Sequence, residues 1–264
     1  PLFERSVRGV QATAEGKALL PRARAIRTQL RQADEDIRQL RGAREGKLSV
    51  ALSHFAIIAL LPRVIGPFRK RWPGVQIAFV PPTFALEGLR EGQPDFAVMS
   101  MPSRKLGSDY VARPLYATQV ALVARPEHPL LKANSLPQLT KAEWVLPSLD
   151  SSVTRGLAKS FRSARLPPLS CAMTCQTLTG LETLVRETDL LGAMPLEVYE
   201  ARKSASGLKR IPLREPIECP RVALLRWADG KPTAAAADME LAFLQAAHAL
   251  ATQNLRGSGT SIAP

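Results

Sequence analysis

The sequence is poor in the residues that metal and redox chemistry require. Its 264 residues include only three cysteines and three histidines. Cys171 and Cys175 lie four residues apart, but no histidine or further cysteine completes a metal-binding set with them. The odd cysteine count excludes a complete disulfide framework and favours a reducing compartment. We therefore expect no metal site and a cytoplasmic location.

Membrane spans and the common catalytic motifs are absent as well. No apolar run reaches the roughly 18 residues of a membrane span, and the N-terminus lacks the apolar core of a signal peptide. The glycines form neither nucleotide-binding fingerprint, and no nucleophile elbow occurs. Ser53 and His54 could suggest a catalytic pair, but adjacent residues of a strand point to opposite faces. We expect no membrane partner, no enzymatic activity and no cofactor.

The charge is strongly unbalanced. Thirty-six Lys and Arg against 23 Asp and Glu give a net charge of +13, and much of the excess lies within residues 1–47. Such an excess favours a polyanionic partner or small anionic ligands, although it can also serve solubility alone.

Residues 12–44 predict a long helix with one narrow apolar seam. The seam residues follow one another at alternating steps of four and three, as a and d positions of a heptad do. They are Leu19, Ala23, Ile26, Leu30, Ala33, Ile37 and Leu40. Because charged residues surround the seam, a second copy of the chain is the expected partner, with packing on the helix's own domain as the alternative. Pro21 predicts a kink or a late helix start.

Residues 1–11 are too few and too basic for a domain. Residues 7–10 predict two extended pieces about a glycine turn, a small wing whose Arg5 and Arg8 would contact a phosphate backbone. A frayed terminus is the alternative.

After a linker punctuated by Gly42 and Gly46, the hydrophobic pattern alternates between strands and helices. We predict strands over 48–53, 75–80, 95–99, 144–146, 170–175, 189–193 and 208–212, and crossing strands over 118–124 and 222–227. We predict helices over 54–71 with a break at Pro62, and over 83–91, 153–164, 178–187, 196–201 and 233–252. This order predicts two α/β units with parallel sheets, one nested in the other, and a cleft at the carboxyl ends of the strands.

Small polar residues recur where a strand is followed by a helix. Helix N-termini flanked by hydroxyl groups suit a carboxylate, sulfonate or phosphate. For any single residue, helix capping is an alternative explanation. Their convergence on one predicted cleft favours an effector site formed by Ser53, His54, Thr83, Ser100, Met101, Pro147, Ser148, Ser151, Ser152 and Thr177.

Several short pieces, spread over nearly the whole chain, are informative in their order and spacing. They are Leu2-Phe3-Glu4-Arg5 with Arg8-Gly9-Val10, Thr13-Ala14-Glu15-Gly16, Gly46-Lys47-Leu48-Ser49-Val50, Leu61-Pro62 with Phe68 and Trp72-Pro73-Gly74-Val75, Leu89-Arg90-Glu91-Gly92 with Asp95-Phe96-Ala97-Val98, and Pro114-Leu115 with His128-Pro129-Leu130. With these pieces, the chain resembles a LysR-type transcriptional regulator that lacks the N-terminal part of its winged helix-turn-helix domain. Two positions depart from the family: Ala12 replaces a leucine, and Glu187-Thr188-Asp189 replaces a glycine-bearing turn.

The resemblance implies an α/β fold with a wing remnant and a long linker helix, followed by a two-lobed effector domain like a periplasmic binding protein, built from two Rossmann-like subdomains. The expected division is 1–12 for the wing, 13–45 for the dimerisation helix, 46–121 with 228–251 for effector subdomain I, 122–227 for subdomain II, and 252–264 for a disordered tail.

The implied function is ligand-responsive regulation of transcription. The linker helix would form a dimer on double-stranded promoter DNA, effector domains would pair to give a homotetramer, and RNA polymerase is a candidate partner. The effector would be a small co-inducer, an organic anion, bound between the lobes. Two alternatives are a transport solute-binding protein, which would need an export signal, and a small α/β enzyme, for which His54 is the only fair catalytic candidate.

Overall fold

The computed structural model of the chain describes residues 1–6, 9–41, 43–102, 105–229 and 231–257. These residues form mixed α/β structure that divides into two compact units. Unit 1 comprises residues 1–53, 61–114 and 223–250. Unit 2 comprises residues 54–60 and 115–222, together with the described chain from 251 onward. The chain therefore leaves unit 1 and returns to it more than once. The predicted subdomain bounds stay a prediction.

The described chain begins with a small hairpin. Strands β1 (Phe3–Ser6) and β2 (Gly9–Ala12) pair antiparallel, with Phe3 opposite Ala12 and Ser6 opposite Gly9. Extended structure is thus found over 3–6 and 9–12, and the part of the prediction that falls on Val7 and Arg8 lies outside the described residues.

The long helix α1 (Ala14–Leu40) follows directly. Thr13 caps its first turn, because its Oγ1 accepts a hydrogen bond from the Gly16 amide at 3.0 Å and donates one to the Pro1 carbonyl at 2.8 Å. The prediction of a late helix start after Pro21 is wrong, since helical structure runs unbroken from Ala14. A proline inside a long helix removes one hydrogen bond, and the turns on either side can still hold the helix together.

Unit 1 contains a three-stranded parallel arrangement. Its elements are β3 (Glu45–Leu52), α2 (Leu61–Arg71), β4 (Gly74–Val80), a 3₁₀ turn (Pro82–Phe84), α3 (Ala85–Arg90) and β5 (Phe96–Ser100). Strand β3 lies in the middle and pairs parallel with both β4 and β5. The predicted parallel sheet is confirmed.

The break predicted at Pro62 takes the form of a change in helical winding. A π-helical turn (Ala56–Leu60) precedes α2, and the change to α-helix occurs at Leu61. Because Pro62 has no amide hydrogen, it cannot continue the hydrogen-bond series of the preceding turn, and the change of winding occurs beside it. The π turn belongs to unit 2, and α2 belongs to unit 1.

Two long strands connect the units: β6 (Tyr110–Ala124) and β11 (Ile217–Trp227). Both are longer than predicted. Their additional residues include Arg113, Pro114 and Glu218, which interrupt the apolar alternation by which strands are recognised.

Unit 2 repeats the α/β pattern. Its further elements are β7 (Glu143–Leu146), α4 (Ser152–Ser163), β8 (Ser170–Thr174), α5 (Leu178–Glu187), β9 (Leu191–Pro195), α6 (Leu196–Ser206) and β10 (Lys209–Arg210). The strands lie in the order β6-β9-β7-β8, and β10 pairs with β6. Strand β7 pairs parallel with both β8 and β9.

Each unit has its own apolar core. In unit 2, Trp144 on β7 packs edge-on against Phe161 of α4, with ring centroids 6.3 Å apart. In unit 1, Phe96 packs against Phe243 of the last helix, α7 (Ala234–Gly257), with centroids 6.0 Å apart. Residues 252–257, predicted as part of a disordered tail, instead continue α7, and they contain no proline that would end the helix. Residues 258–264 lie outside the described residues.

Candidate functional site

The predicted effector residues of unit 1 lie at the carboxyl ends of adjacent strands. Ser53 follows β3, Thr83 follows β4, and Ser100 ends β5, with Met101 next to it. Because β3 pairs with both neighbours in parallel, these ends meet at one edge of the sheet. The Ser53 hydroxyl donates to the Val98 carbonyl at 3.2 Å, which joins the ends of β3 and β5.

The predicted effector residues of unit 2 cluster in the same way. Pro147 and Ser148 follow β7, and Thr177 follows β8. The Cys175 amide donates to the Leu146 carbonyl at 2.8 Å, which joins the ends of these two strands. His54 is exposed and begins the helical stretch that passes into the π turn. The structure thus places these residues at strand ends within each unit.

Two of the hydroxyls cap helices. Ser151 precedes α4, and its Oγ accepts from the Thr154 amide at 3.1 Å. Thr177 precedes α5, and its Oγ1 accepts from the Gly180 amide at 3.3 Å. The capping interpretation that the sequence left open therefore holds for both residues, which also present the N-terminal ends of helices of 12 and 10 residues.

A buried polar cluster lies beneath the start of α4 and was not predicted. We call it the Tyr116 cluster; its members are Tyr116, Thr118, Ser152, Glu197 and Cys219. Thr118 Oγ1 donates to Glu197 Oε2 at the first turn of α6, and Ser152 is hydrogen-bonded to Cys219. The hydroxyl of Tyr116 has no hydrogen-bond partner among the described residues, although only 6% of this residue is exposed.

The surroundings of the Tyr116 cluster keep its weak acids protonated. Burial, and then the charge of Glu197, raise the pKa of the Tyr116 phenol well above its ordinary value. Burial also raises the pKa of the Cys219 thiol, although the hydrogen bond from Ser152 acts in the opposite direction. Both side chains are therefore neutral donors at physiological pH.

The apolar seam of α1 faces away from the rest of unit 1. All six seam residues whose side chains are described are exposed, with Ile26 at 59% and Leu30 at 68%. The side chain of Leu40 lies outside the described residues. On the opposite side of the helix, Thr28 and Glu35 are buried. The helix therefore packs a polar face against its own unit and exposes an apolar face that the described residues do not cover.

Hydrogen bonds around Asp95 hold the polar face of α1 against the rest of unit 1; we call this set of hydrogen bonds the Asp95 joint. Gln32 Nε2 donates to Asp95 Oδ1 at 3.2 Å, and Thr28 Oγ1 donates to the Glu91 carbonyl at 3.4 Å. The other carboxylate oxygen of Asp95 accepts from the Ser49 amide at 2.8 Å. One side chain thus connects the linker helix with β3 and β5, the strands that carry Ser53 and Ser100 at their far ends.

A cavity of about 50 Å³ lies beside this joint, lined among others by Gln32, Asp95, Arg226 and Glu240. Glu240 is 5% exposed, and its Oε1 has no hydrogen-bond partner among the described residues. Burial raises the pKa of this carboxyl, and Arg226 and Arg113 partly oppose the shift. The space is large enough for ordered water.

The side chains of the two predicted DNA-contacting residues lie outside the described residues. The backbone of Arg5 lies in β1, but its side chain is outside the described residues, as is the whole of Arg8.

Within the described part of the chain, no group of three or more His, Cys, Asp or Glu could hold a metal ion. Nor is any helix of that part long and apolar enough to cross a membrane.

Sequence reasoning missed the Tyr116 cluster and the Asp95 joint for different reasons. Thr118 and Glu197 are 79 residues apart, so no local pattern connects them. The alternation of β6 does carry a signal, because Tyr116 and Thr118 occupy the same buried face as Val120 and Leu122. Asp95 stands immediately before a buried strand, where a carboxylate requires a partner.

Comparison with known proteins agrees with this architecture. Residues 41–248 match the LysR substrate binding domain. The HTH-type transcriptional regulator GalR of Pseudomonas putida is 28% identical over 229 residues, which make up 86% of this chain and 58% of GalR. The chain thus spans less than two thirds of that relative's length.

Solved structures show the same fold. The effector binding domain of QuiR in complex with shikimate superposes with a TM-score of 0.66 at 16% identity, over 78% of this chain and 98% of that one. Full-length CbnR complexed with its target DNA superposes with a TM-score of 0.61 at 22% identity, over 94% of this chain and 84% of CbnR. The matched relative is a transcriptional regulator rather than an enzyme. With most of its length matched by the LysR substrate binding domain, the chain belongs to the LysR family.

Proposed function

We propose that the chain is the dimerising and ligand-responsive part of a DNA-binding transcriptional regulator. The observation that carries this proposal is the direct succession of a 27-residue helix with an exposed apolar seam and an α/β domain of the LysR substrate-binding type. GalR, which the chain covers in part, is an HTH-type regulator, and CbnR of the same fold is bound to DNA. A winged helix-turn-helix head ahead of α1 would read double-stranded promoter DNA, with Arg5 and Arg8 on its phosphates.

The seam of α1 supports pairing with a second copy. A helix that buries Thr28 and Glu35 on its own unit and exposes Ile26 and Leu30 leaves its apolar residues in water, and burying them stabilises association by roughly 25 cal/mol per Å². The remaining seam positions, Leu19, Ala23, Ala33, Ile37 and Leu40, extend the same stripe.

Replacing Ile26 and Leu30 by Asp should convert the dimer into monomer, as measured by light scattering with size exclusion. A matched control replaces Lys17 and Arg38 by Gln, which lowers the net charge by the same amount at exposed positions off the seam. An unchanged mass for the seam variant would refute pairing through α1. Equal dissociation of both variants would show that charge, rather than the seam, governs association.

We further propose that the effector is a small organic anion that both predicted lobes bind. The support is the set of hydroxyls at strand ends, the capped N-termini of α4 and α5, and the net charge of +13. The residues that we predict to bind the effector are Ser53, His54, Thr83, Ser100, Met101, Pro147, Ser148, Ser151, Ser152 and Thr177. The QuiR domain, whose fold is shared, holds shikimate, an acid.

A thermal-shift screen of small aromatic and aliphatic acids tests this proposal. A ligand that binds only the folded state at 100 times its Kd stabilises the chain by about 2.7 kcal/mol, which raises its melting temperature measurably. Ser100→Ala should reduce the heat of binding in calorimetry while leaving the mass by light scattering unchanged. Undiminished binding to that variant would remove Ser100 from the site.

The remaining parts of the proposal follow from the family. We assign residues 1–12 to the wing, 13–45 to the dimerisation helix, 46–121 with 228–251 to effector subdomain I, and 122–227 to subdomain II. Effector domains would pair to form a tetramer in the cytoplasm, and RNA polymerase is a candidate partner at the promoter. An effector acts on this assembly only through its different affinities for two conformations.

A further inference from the structure

The Tyr116 cluster contains a polar atom that has no hydrogen-bond donor or acceptor among the described residues. This atom is the hydroxyl of Tyr116, a residue that is only 6% exposed. Buried hydroxyls normally have a partner, because an unmade hydrogen bond inside a protein destabilises the folded state. An unused phenol in a polar cluster therefore points to a partner that comes from outside the chain.

The cluster adjoins the predicted effector residues. Ser152 belongs to both sets: it is the first residue of α4, directly after the capping Ser151, and it bonds to Cys219 of the cluster. A molecule held at the N-terminus of α4 would therefore lie next to the cluster. All members of the cluster lie in unit 2, on β6, β11 and the first turns of α4 and α6.

The charges around the cluster select the kind of group that could bind there. The Glu197 carboxylate, 6% exposed, would repel a second carboxylate. The charge of Arg155, which acts on Cys219 from α4, would repel an ammonium group. A neutral hydroxyl avoids both repulsions, and it can accept from the Tyr116 phenol while donating to a carboxylate oxygen of Glu197.

We propose that the Tyr116 cluster binds a hydroxyl group of the effector, so that the effector is a hydroxylated organic acid rather than a hydrocarbon acid. This inference rests on the proposed function, in which a small organic anion is bound at the strand ends. The acid group of the ligand lies at the capped helix N-termini, and its hydroxyl reaches the cluster. Sites built to hydrogen-bond a hydroxyl discriminate strongly against analogues that lack it.

Matched pairs of acids test the inference by calorimetry on the full chain. The pairs are shikimate with cyclohex-1-ene-1-carboxylate, 4-hydroxybenzoate with benzoate, and lactate with propionate. We expect at least one hydroxylated acid to bind at least about tenfold more tightly than its partner. In Tyr116→Phe this preference should fall to within about twofold, while the affinity for the acid without a hydroxyl stays unchanged.

Methyl shikimate separates this inference from the proposed function. Equal binding of both members of every pair would overturn the inference and leave the anion proposal in place. Binding of methyl shikimate as tightly as shikimate would support the hydroxyl site and overturn the requirement for an anion. Absence of binding by every probe would overturn both.

Thermal unfolding without ligand gives a second test. Because the Tyr116 hydroxyl has no partner among the described residues, Tyr116→Phe should melt no lower than the wild type. Tyr199→Phe is the matched control, since the Tyr199 hydroxyl accepts from the Arg210 amide at 3.2 Å and its removal should lower the melting temperature. An equal loss in both variants would mean that the Tyr116 hydroxyl has a structural partner, and the inference would fail.

Discussion

Gly92→Ala should loosen the linker helix from unit 1. Gly92 has a φ of +79°, a region in which a Cβ is strained, and an added Cβ would lie 2.5 Å from Cγ2 and 2.6 Å from Cβ of Thr28. Two separate effects are therefore expected: backbone strain, and a steric collision with α1. Thr28 cannot turn away from the second contact, because its own Cβ is part of the collision.

A matched glycine isolates the steric effect. Gly207 ends α6 with a φ of +70°, and an added Cβ there meets nothing within 4 Å. Gly207→Ala should therefore cost only the strain, about 1–2 kcal/mol. Gly92→Ala should cost this plus roughly 1–3 kcal/mol for the collision, in a folded state in which α1 stays docked.

Urea unfolding and hydrogen exchange measure the two parts. We expect Gly92→Ala to destabilise the chain more than Gly207→Ala and to speed amide exchange in α1 around Thr28. The reasoning would be refuted if the two variants lost the same stability and exchange in α1 were unchanged. Faster exchange in α1 with equal loss of stability would mean that the helix undocks at little cost, and the Asp95 joint would then be weaker than its hydrogen bonds indicate.

Three further predictions concern buried charges and the thiols. Arg202→Ala should cost roughly 3–5 kcal/mol in urea unfolding, because it leaves Glu182, whose side chain is 4% exposed, without the arginine that bonds both its oxygens at 2.7 Å. Replacing both Arg202 and Glu182 by Met should recover most of the lost stability. The ion-pair argument would be contradicted if the double variant were as unstable as the sum of the two single replacements. Burial raises the folded-state pKa of Glu240 above its unfolded value, so the wild type loses stability as the pH rises through the folded pKa. Glu240→Gln should thus be more stable than the wild type at neutral pH, and this difference in stability should vanish below the unfolded pKa. Melting curves from pH 4 to pH 8 would show the opposite trend if the ionised Glu240 stabilised the fold. Cys219, whose pKa is raised chiefly by burial, should react with iodoacetamide more slowly than the half-buried Cys171 and Cys175, and mass spectrometry showing Cys219 modified first would contradict its described burial.

Secondary structure followed closely from local patterns where the periodicity was strong. The helix predicted over 178–187 has those bounds in the structure. Helix α4 differs from its predicted bounds by one residue at both ends, and β7 begins one residue before its predicted start. Weaker patterns gave larger errors. Strand β6 begins at Tyr110 rather than at residue 118, because Arg113 and Pro114 hide its alternation.

The candidate site could be predicted only in outline. Strand ends follow from strand order, so the adjacency of Ser53 and Ser100 in unit 1 could be anticipated. Which hydroxyls are already engaged could not, because capping by Ser151 and Thr177 depends on backbone geometry at the helix starts. Whether these residues bind the effector stays a prediction.

By itself, the sequence determined that α1 would have an apolar seam, that two α/β units would be nested, and that strand ends would carry hydroxyl groups. These properties depend on residue type and spacing along the chain, which local periodicity expresses directly. Only the tertiary structure decided which face of α1 docks through Gln32 on Asp95. It also decided that Thr118 and Glu197 meet beside a Tyr116 hydroxyl that has no partner among the described residues. Such contacts join residues 63 and 79 positions apart. Side chains so distant in sequence are brought together by the packing of whole elements, for which no local pattern exists.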